Sequence, residues 1–82
     1  MPYITKEKRQ QIDWGTRPRT SGELNYRLTK TVREYMADKG ISYATINDIV
    51  GALEACKLEF YRRVVTPYEQ SKLEVNGDVY ES

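Results

Sequence analysis

Residues 42–66 read SYATINDIVGALEACKLEFYRRVVT, and their spacing predicts the central helix of the protein. At about 100° per residue, Ile46, Ile49, Leu53, Cys56, Phe60 and Val64 fall on one dense apolar stripe, which Tyr43, Val50 and Tyr61 widen. The opposite side is not polar either: Ala44, Gly51, Ala55 and Leu58 lie together there, with Val65 close by. A glycine inside a helix costs about 1 kcal/mol relative to alanine, so Gly51 implies a close neighbour. The heavy stripe is expected to face a second helix of the same chain. The small-residue face is expected to meet a second copy of the protein, or else one of the short terminal helices.

Working outward from this segment gives an all-α domain. Toward the N-terminus, Ile41 is a one-residue joint, and before it Lys39-Gly40 ends another helix. That helix, at about 20–39, opens with Thr20-Ser21-Gly22-Glu23, the spacing of a capping box. Leu24, Leu28, Thr31, Val32, Tyr35 and Met36 form its apolar arc. Asn25 interrupts that arc and needs a partner for its amide. So short a joint predicts an antiparallel helical hairpin of about 20–39 against 42–66, with Ile41 folding back on the first helix. A short basic helix, KEKRQQI, is expected after Thr5, with an extended lead-in before it and a loop, GTRPR at 15–19, behind it. On the C-terminal side, Thr66-Pro67-Tyr68-Glu69 has the form of a second capping signal. It predicts a new short helix at an angle to the central one, stopped by Asn76-Gly77.

Composition limits the chemistry. Eighty-two residues with one cysteine and no histidine are expected to form a single domain, 1–82, without an internal disulfide or an imidazole metal site. Small domains make up for a thin core by disulfides, metals or self-association, and only the last remains open here. Without histidine there is no Ser-His or Cys-His nucleophile pair, and the glycines form neither a P-loop nor a dinucleotide fingerprint. A non-enzymatic protein with no cofactor follows. Cys56, within the apolar stripe, is expected to be buried and inert. No secretory leader or membrane span is legible, so a cytoplasmic location is expected.

The net charge is +1, but residues 1–41 carry nine Lys/Arg and five Asp/Glu, whereas residues 42–82 carry four and seven. Such asymmetry can steer an anionic ligand to the first half or bring the basic half of one protomer to the acidic half of another. The candidate ligand-binding residues are Arg17 and Arg19 in the loop, Tyr26 with Lys30 and Arg33 on the polar face of the hairpin's first helix, and Arg62 and Arg63 on the central helix. Arginine forks suit phosphates, and a tyrosine flanked by cations suits a base. Glu54 with Lys57, and Glu59 with Arg62 and Arg63, have the spacing of intrahelical ion pairs. The candidate oligomer interface is Ala44, Gly51, Ala55, Leu58 and Val65.

The segments MPYI, GELNY, LEACKLEFYRRVVTPYE and NGDVY together resemble an uncharacterised family of small phage and bacterial proteins, along nearly the whole chain. The resemblance implies a viral or mobile-element setting. Tiny oligomeric proteins there inhibit host factors or sequester nucleotide signals, and no functional residue is carried over. The expected function is therefore a homo-oligomeric binding protein for a nucleotide-type anion or a host protein. A DNA- or RNA-binding regulator is the alternative, disfavoured by near neutrality and by a joint shorter than a helix-turn-helix turn. A purely structural or adaptor subunit is the third class.

Overall fold

The computed structural model describes residues 4–80; the first three residues of the lead-in expected at 1–4 and the last two residues of the tail lie outside them. All regular structure among the described residues is helical, as expected from the periodicity. The elements are α1 (Lys6–Asp13), α2 (Ser21–Lys39), α3 (Tyr43–Phe60), a π-helical turn (Tyr61–Val65) and α4 (Thr66–Asn76). The backbone divides into two compact units, Met1–Ile46 and Asn47–Ser82.

In the first unit, each helix start is fixed by a side-chain oxygen that accepts an otherwise orphaned backbone N–H. The Thr5 hydroxyl accepts from Lys8 N at 3.1 Å, and the Thr20 hydroxyl accepts from Glu23 N at 3.1 Å. The carboxylate of Glu23 reaches back to Arg19 N at 3.0 Å, one residue earlier than a standard capping box. Glu23 is buried by this arrangement. Ser42 caps α3 through Thr45 N at 3.1 Å and donates to the Thr45 hydroxyl, which satisfies the polar atoms of buried Thr45. Helix α1 packs on α2, and Ile12 at 5% exposure is the one buried apolar residue among those described. Ile4 lies over Gly22, where an added Cβ would come within 3.2 Å of its Cγ2.

Several expectations about packing are corrected. Leu24, Leu28 and Tyr35 of the α2 arc are exposed, and so is Ile41, which does not fold back. Asn25 is exposed and accepts from the Thr29 hydroxyl at 3.4 Å, so its amide suffers no desolvation. The heavy stripe of α3 is likewise uncovered: Leu53 is 45% and Phe60 55% exposed, and Ile46 and Val64 are comparable. Cys56 is an exposed free thiol, not a buried one.

In the second unit the expected break at Thr66 does not occur. Thr66 has helical dihedrals (φ −61°, ψ −48°), and its N–H bonds to the Tyr61 carbonyl five residues back. The physical reason lies one residue on. Pro67 has no N–H to give the Arg63 carbonyl, and its ring would collide with that carbonyl in a regular α-helix. Widening the preceding turn by one residue relieves the collision without ending the helix. Val65, the residue before α4, is itself helical (φ −65°, ψ −51°) and makes no side-chain cap bond, so the Thr66–Glu69 signature does not start a new helix. The helix therefore runs from Tyr43 to Asn76 with one π turn inside it.

Gly40 and Gly77 end α2 and α4 with φ +82° and ψ 155° and 165°, a region open essentially only to glycine. Gly40 N donates to Met36 O at 2.8 Å. Gly40→Ala is expected to lower the stability by about 1–3 kcal/mol, read as a fall in the urea midpoint at unchanged slope.

Candidate functional site

The most structured polar cluster sits where α1 turns into α2. Trp14 and Gly15 (φ +98°) reverse the chain after Asp13, with Gly15 N bonded to Ile12 O and Thr16 N to Gln11 O. The reversal brings Asp13 against α2, where both of its carboxylate oxygens accept from the Tyr26 hydroxyl, at 2.9 and 3.1 Å. From the next residue of α2, Arg27 Nη2 donates to Thr16 O at 3.1 Å. These two contacts tie the loop to the helix. Beside them is an open cleft of about 250 Å³ lined by Asp13, Arg27, Lys30 and Glu34, with Ile12 at its floor.

This geometry revises the role expected for Tyr26. Its ring is half-buried and its hydroxyl is engaged, so it is not presented for stacking on a base. The hydrogen bond to Asp13 stabilises the neutral phenol and raises the Tyr26 pKa above its ordinary value of 10.0; desolvation and the Asp13 charge push the same way, while Arg9 and Arg33 oppose them. Lys30 lines the cleft together with Arg27, and Arg33 is close enough to act on Tyr26 electrostatically. Two carboxylates and two cations share the cleft walls, so its lining has no net charge. Arg17 and Arg19 lie on the exposed loop between α1 and α2; the structure places neither in this cleft.

The remaining candidates belong to the second unit. Arg62 Nη2 donates to both oxygens of Glu59 at 2.8 Å, and Arg63 Nε approaches Glu59 at 3.6 Å, as the spacing predicts. Lys57 meets Glu54 at 3.8 Å. All five side chains are more than half exposed, so each pair contributes only about 0.2–1 kcal/mol. Both arginines stand on the π turn, which offsets them from the α3 face pattern. Of the small-residue face, Ala44, Gly51, Ala55 and Leu58 are exposed and Val65 is half-buried. A Cβ added at Gly51 would meet nothing within 4 Å, so no neighbour in the isolated chain accounts for this glycine. A larger open cleft, about 600 Å³, lies where the tail after Gly77 passes α4, between Lys72, Leu73 and Tyr80. No group of His, Cys, Asp or Glu among the described residues could hold a metal ion.

The family described as domain of unknown function DUF6899 matches residues 1–79. The chain belongs to that family. No curated protein and no solved structure matches it.

Sequence reasoning found the cations but not Asp13 or Arg27. The Asp13–Tyr26 bond spans thirteen residues across a loop, and no periodicity links the two. The cue available was Asp13-Trp14-Gly15 itself: a glycine turn after an acidic helix end sends that carboxylate back along the chain.

In a pH titration followed by NMR, the Tyr26 ring is expected to ionise with a midpoint above 10. Asp13→Asn should lower that midpoint toward the ordinary value. The sign follows from linkage: the bond favours the protonated phenol, so its contribution is intact below pH about 10 and is lost as the pH rises through the elevated pKa. A Tyr26 midpoint unchanged by Asp13→Asn would contradict the assigned bond.

Proposed function

We propose that the protein is a non-enzymatic, homo-oligomeric binding protein that acts in the cytoplasm, in a phage or mobile-element setting. Its ligand is a nucleotide-type anion or an acidic surface of a host protein. The reading rests chiefly on the exposure of apolar side chains along α3 and the π turn that follows it. A helix apolar round most of its circumference belongs in a core, yet Ile46, Val50, Leu53, Leu58, Phe60, Tyr61 and Val64 are all exposed in the isolated chain. A second copy is the partner always present at matching concentration, and a closed twofold pairing is the commonest solution for such a surface. Ala44, Gly51, Ala55, Leu58 and Val65 supply a face on which a neighbouring backbone could approach closely. No helix among the described residues is long and apolar enough to cross a membrane, so a bilayer spanned by α3 is not the proposed cover.

Anion recognition is assigned to the arginines. Arg62 and Arg63 share a single carboxylate, Glu59, which leaves one positive charge uncompensated on the π turn, and π turns recur at functional sites. Arg17, Arg19, Lys30 and Arg33 make the first 46 residues the basic part of the chain, with nine Lys/Arg against five Asp/Glu. That excess also supports the second reading, a DNA- or RNA-binding regulator, whose affinity would fall steeply with salt.

Native mass spectrometry of the protein purified from its own source tests the proposal directly. A mass of two or more chains carrying a retained small anion is expected. Arg62→Ala with Arg63→Ala should lose the ligand while keeping the oligomer, and Gly51→Leu should lower the oligomeric mass. A ligand-free monomer from the wild-type protein would overturn the proposal.

A further inference from the structure

Tyr26, the ring expected to meet a base, is held by Asp13, but another aromatic of the same unit is free. Trp14 is 81% exposed and is the one tryptophan of the chain. It caps the end of α1, where its backbone N–H donates to Gln10 O and Gln11 O at 3.0 and 3.2 Å. The turn behind it is fixed as well: Gly15 N bonds to Ile12 O, Thr16 N bonds to Gln11 O, and Arg27 holds Thr16 O from α2. The backbone that carries the indole is therefore pinned on both sides while the ring stands in water. A ring braced in this way needs little further ordering when a ligand arrives.

The surroundings of the indole choose the ligand. Arg17 and Arg19 follow on the same loop and are exposed, and neither side chain makes an ion pair or hydrogen bond among the described residues. At ~3.8 Å per residue, the Cα atoms of Trp14 and Arg17 are at most about 11 Å apart, within the combined reach of an indole and a guanidinium. The nearby carboxylates are engaged elsewhere: Asp13 with the Tyr26 hydroxyl, and buried Glu23 with the Arg19 backbone N–H. Three other exposed rings have their cations occupied. Lys39 and Lys72 lie over Tyr35 and Tyr68 at 5.9 and 5.5 Å, and the arginines beside Tyr61 share Glu59. A protein partner would need an apolar surround for the indole, whereas the loop beside it reads Gly-Thr-Arg-Pro-Arg.

We propose that Trp14, Arg17 and Arg19 form a binding site for a nucleobase that carries phosphate. The indole stacks on the base, and the arginine forks take the phosphate oxygens. The site rests on the nucleotide reading given above and adds to it the group that meets the base. A free nucleotide and a single strand both present this chemistry, and the test separates them.

Because Trp14 is the one tryptophan, intrinsic indole fluorescence reports on this position alone. The protein is titrated with adenosine triphosphate, with inorganic triphosphate and with a short single-stranded oligothymidylate. Saturable quenching by a base-bearing probe, and none by inorganic triphosphate, is expected. Saturation by the mononucleotide assigns a free nucleotide, whereas saturation by the oligonucleotide alone, with a steep fall in salt, assigns a strand. In calorimetry, Trp14→Ala should weaken binding about tenfold or more, and Trp14→Phe should recover most of that loss. Arg17→Ala with Arg19→Ala should weaken it to a similar extent at unchanged melting temperature. Fluorescence untouched by both base-bearing probes, or affinity untouched by Trp14→Ala, would overturn the site. Should the native protein then still carry an anion that Arg62→Ala with Arg63→Ala releases, the function proposed above stands and this site alone falls.

Discussion

Helix α3 must cover its apolar surface, and the isolated chain leaves that surface in water. Fully burying a Leu, Ile or Phe side chain is worth about 1.5–3 kcal/mol, so a side chain left half exposed forgoes roughly 1 kcal/mol of that. Ile46, Leu53, Phe60 and Val64 are all in this position. Their combined shortfall is comparable with the whole stability expected of so small a domain. Long helices in water draw most of their stability from packing rather than from propensity. The exposure of α3 is therefore the observation on which the proposed self-association rests.

Local chemistry holds the rest in place. Thr5, Thr20 and Ser42 each cap a helix through one side-chain oxygen, and Gly40 and Gly77 end helices in backbone conformations that other residues rarely adopt. Asp13 and Arg27 clamp the α1–α2 loop from both sides. Because these contacts are local, the first unit keeps its helix boundaries with Ile12 as the one buried apolar anchor among the described residues. The π turn before Pro67 extends the same principle: one residue's missing N–H is absorbed by a single wide turn, and Arg62 and Arg63 are re-aimed as a result.

The helices were legible because caps and periodicity are short-range signals. Thr20 to Glu23, Ser42 and the Lys39-Gly40 stop all appear where the spacing puts them. The Thr66–Glu69 signature misled because it matches a capping box in composition, while the helix entering Thr66 was already formed and could widen instead of ending. Burial was the harder quantity. The wheel identifies which α3 residues are apolar but not what covers them, so Leu53 and Cys56 read as core positions and stand exposed. The Glu59–Arg62–Arg63 cluster followed from spacing, whereas Asp13–Tyr26 depended on a loop path that no pattern encodes. Tyr26 consequently changes from a candidate stacking platform to a latch.

The central claim is that the folded state of α3 is an intermolecular one, and the concentration dependence of thermal unfolding tests it most directly. For a folded dimer that unfolds to monomers, each tenfold rise in protein concentration adds about 1.4 kcal/mol of apparent stability. In a chain of this size that raises the melting temperature by several degrees. A melting temperature that climbs steadily from one to one hundred micromolar is the predicted result. A cooperative transition at the same temperature across that range would contradict the account, because it would mean that a single chain folds stably with its apolar helix uncovered.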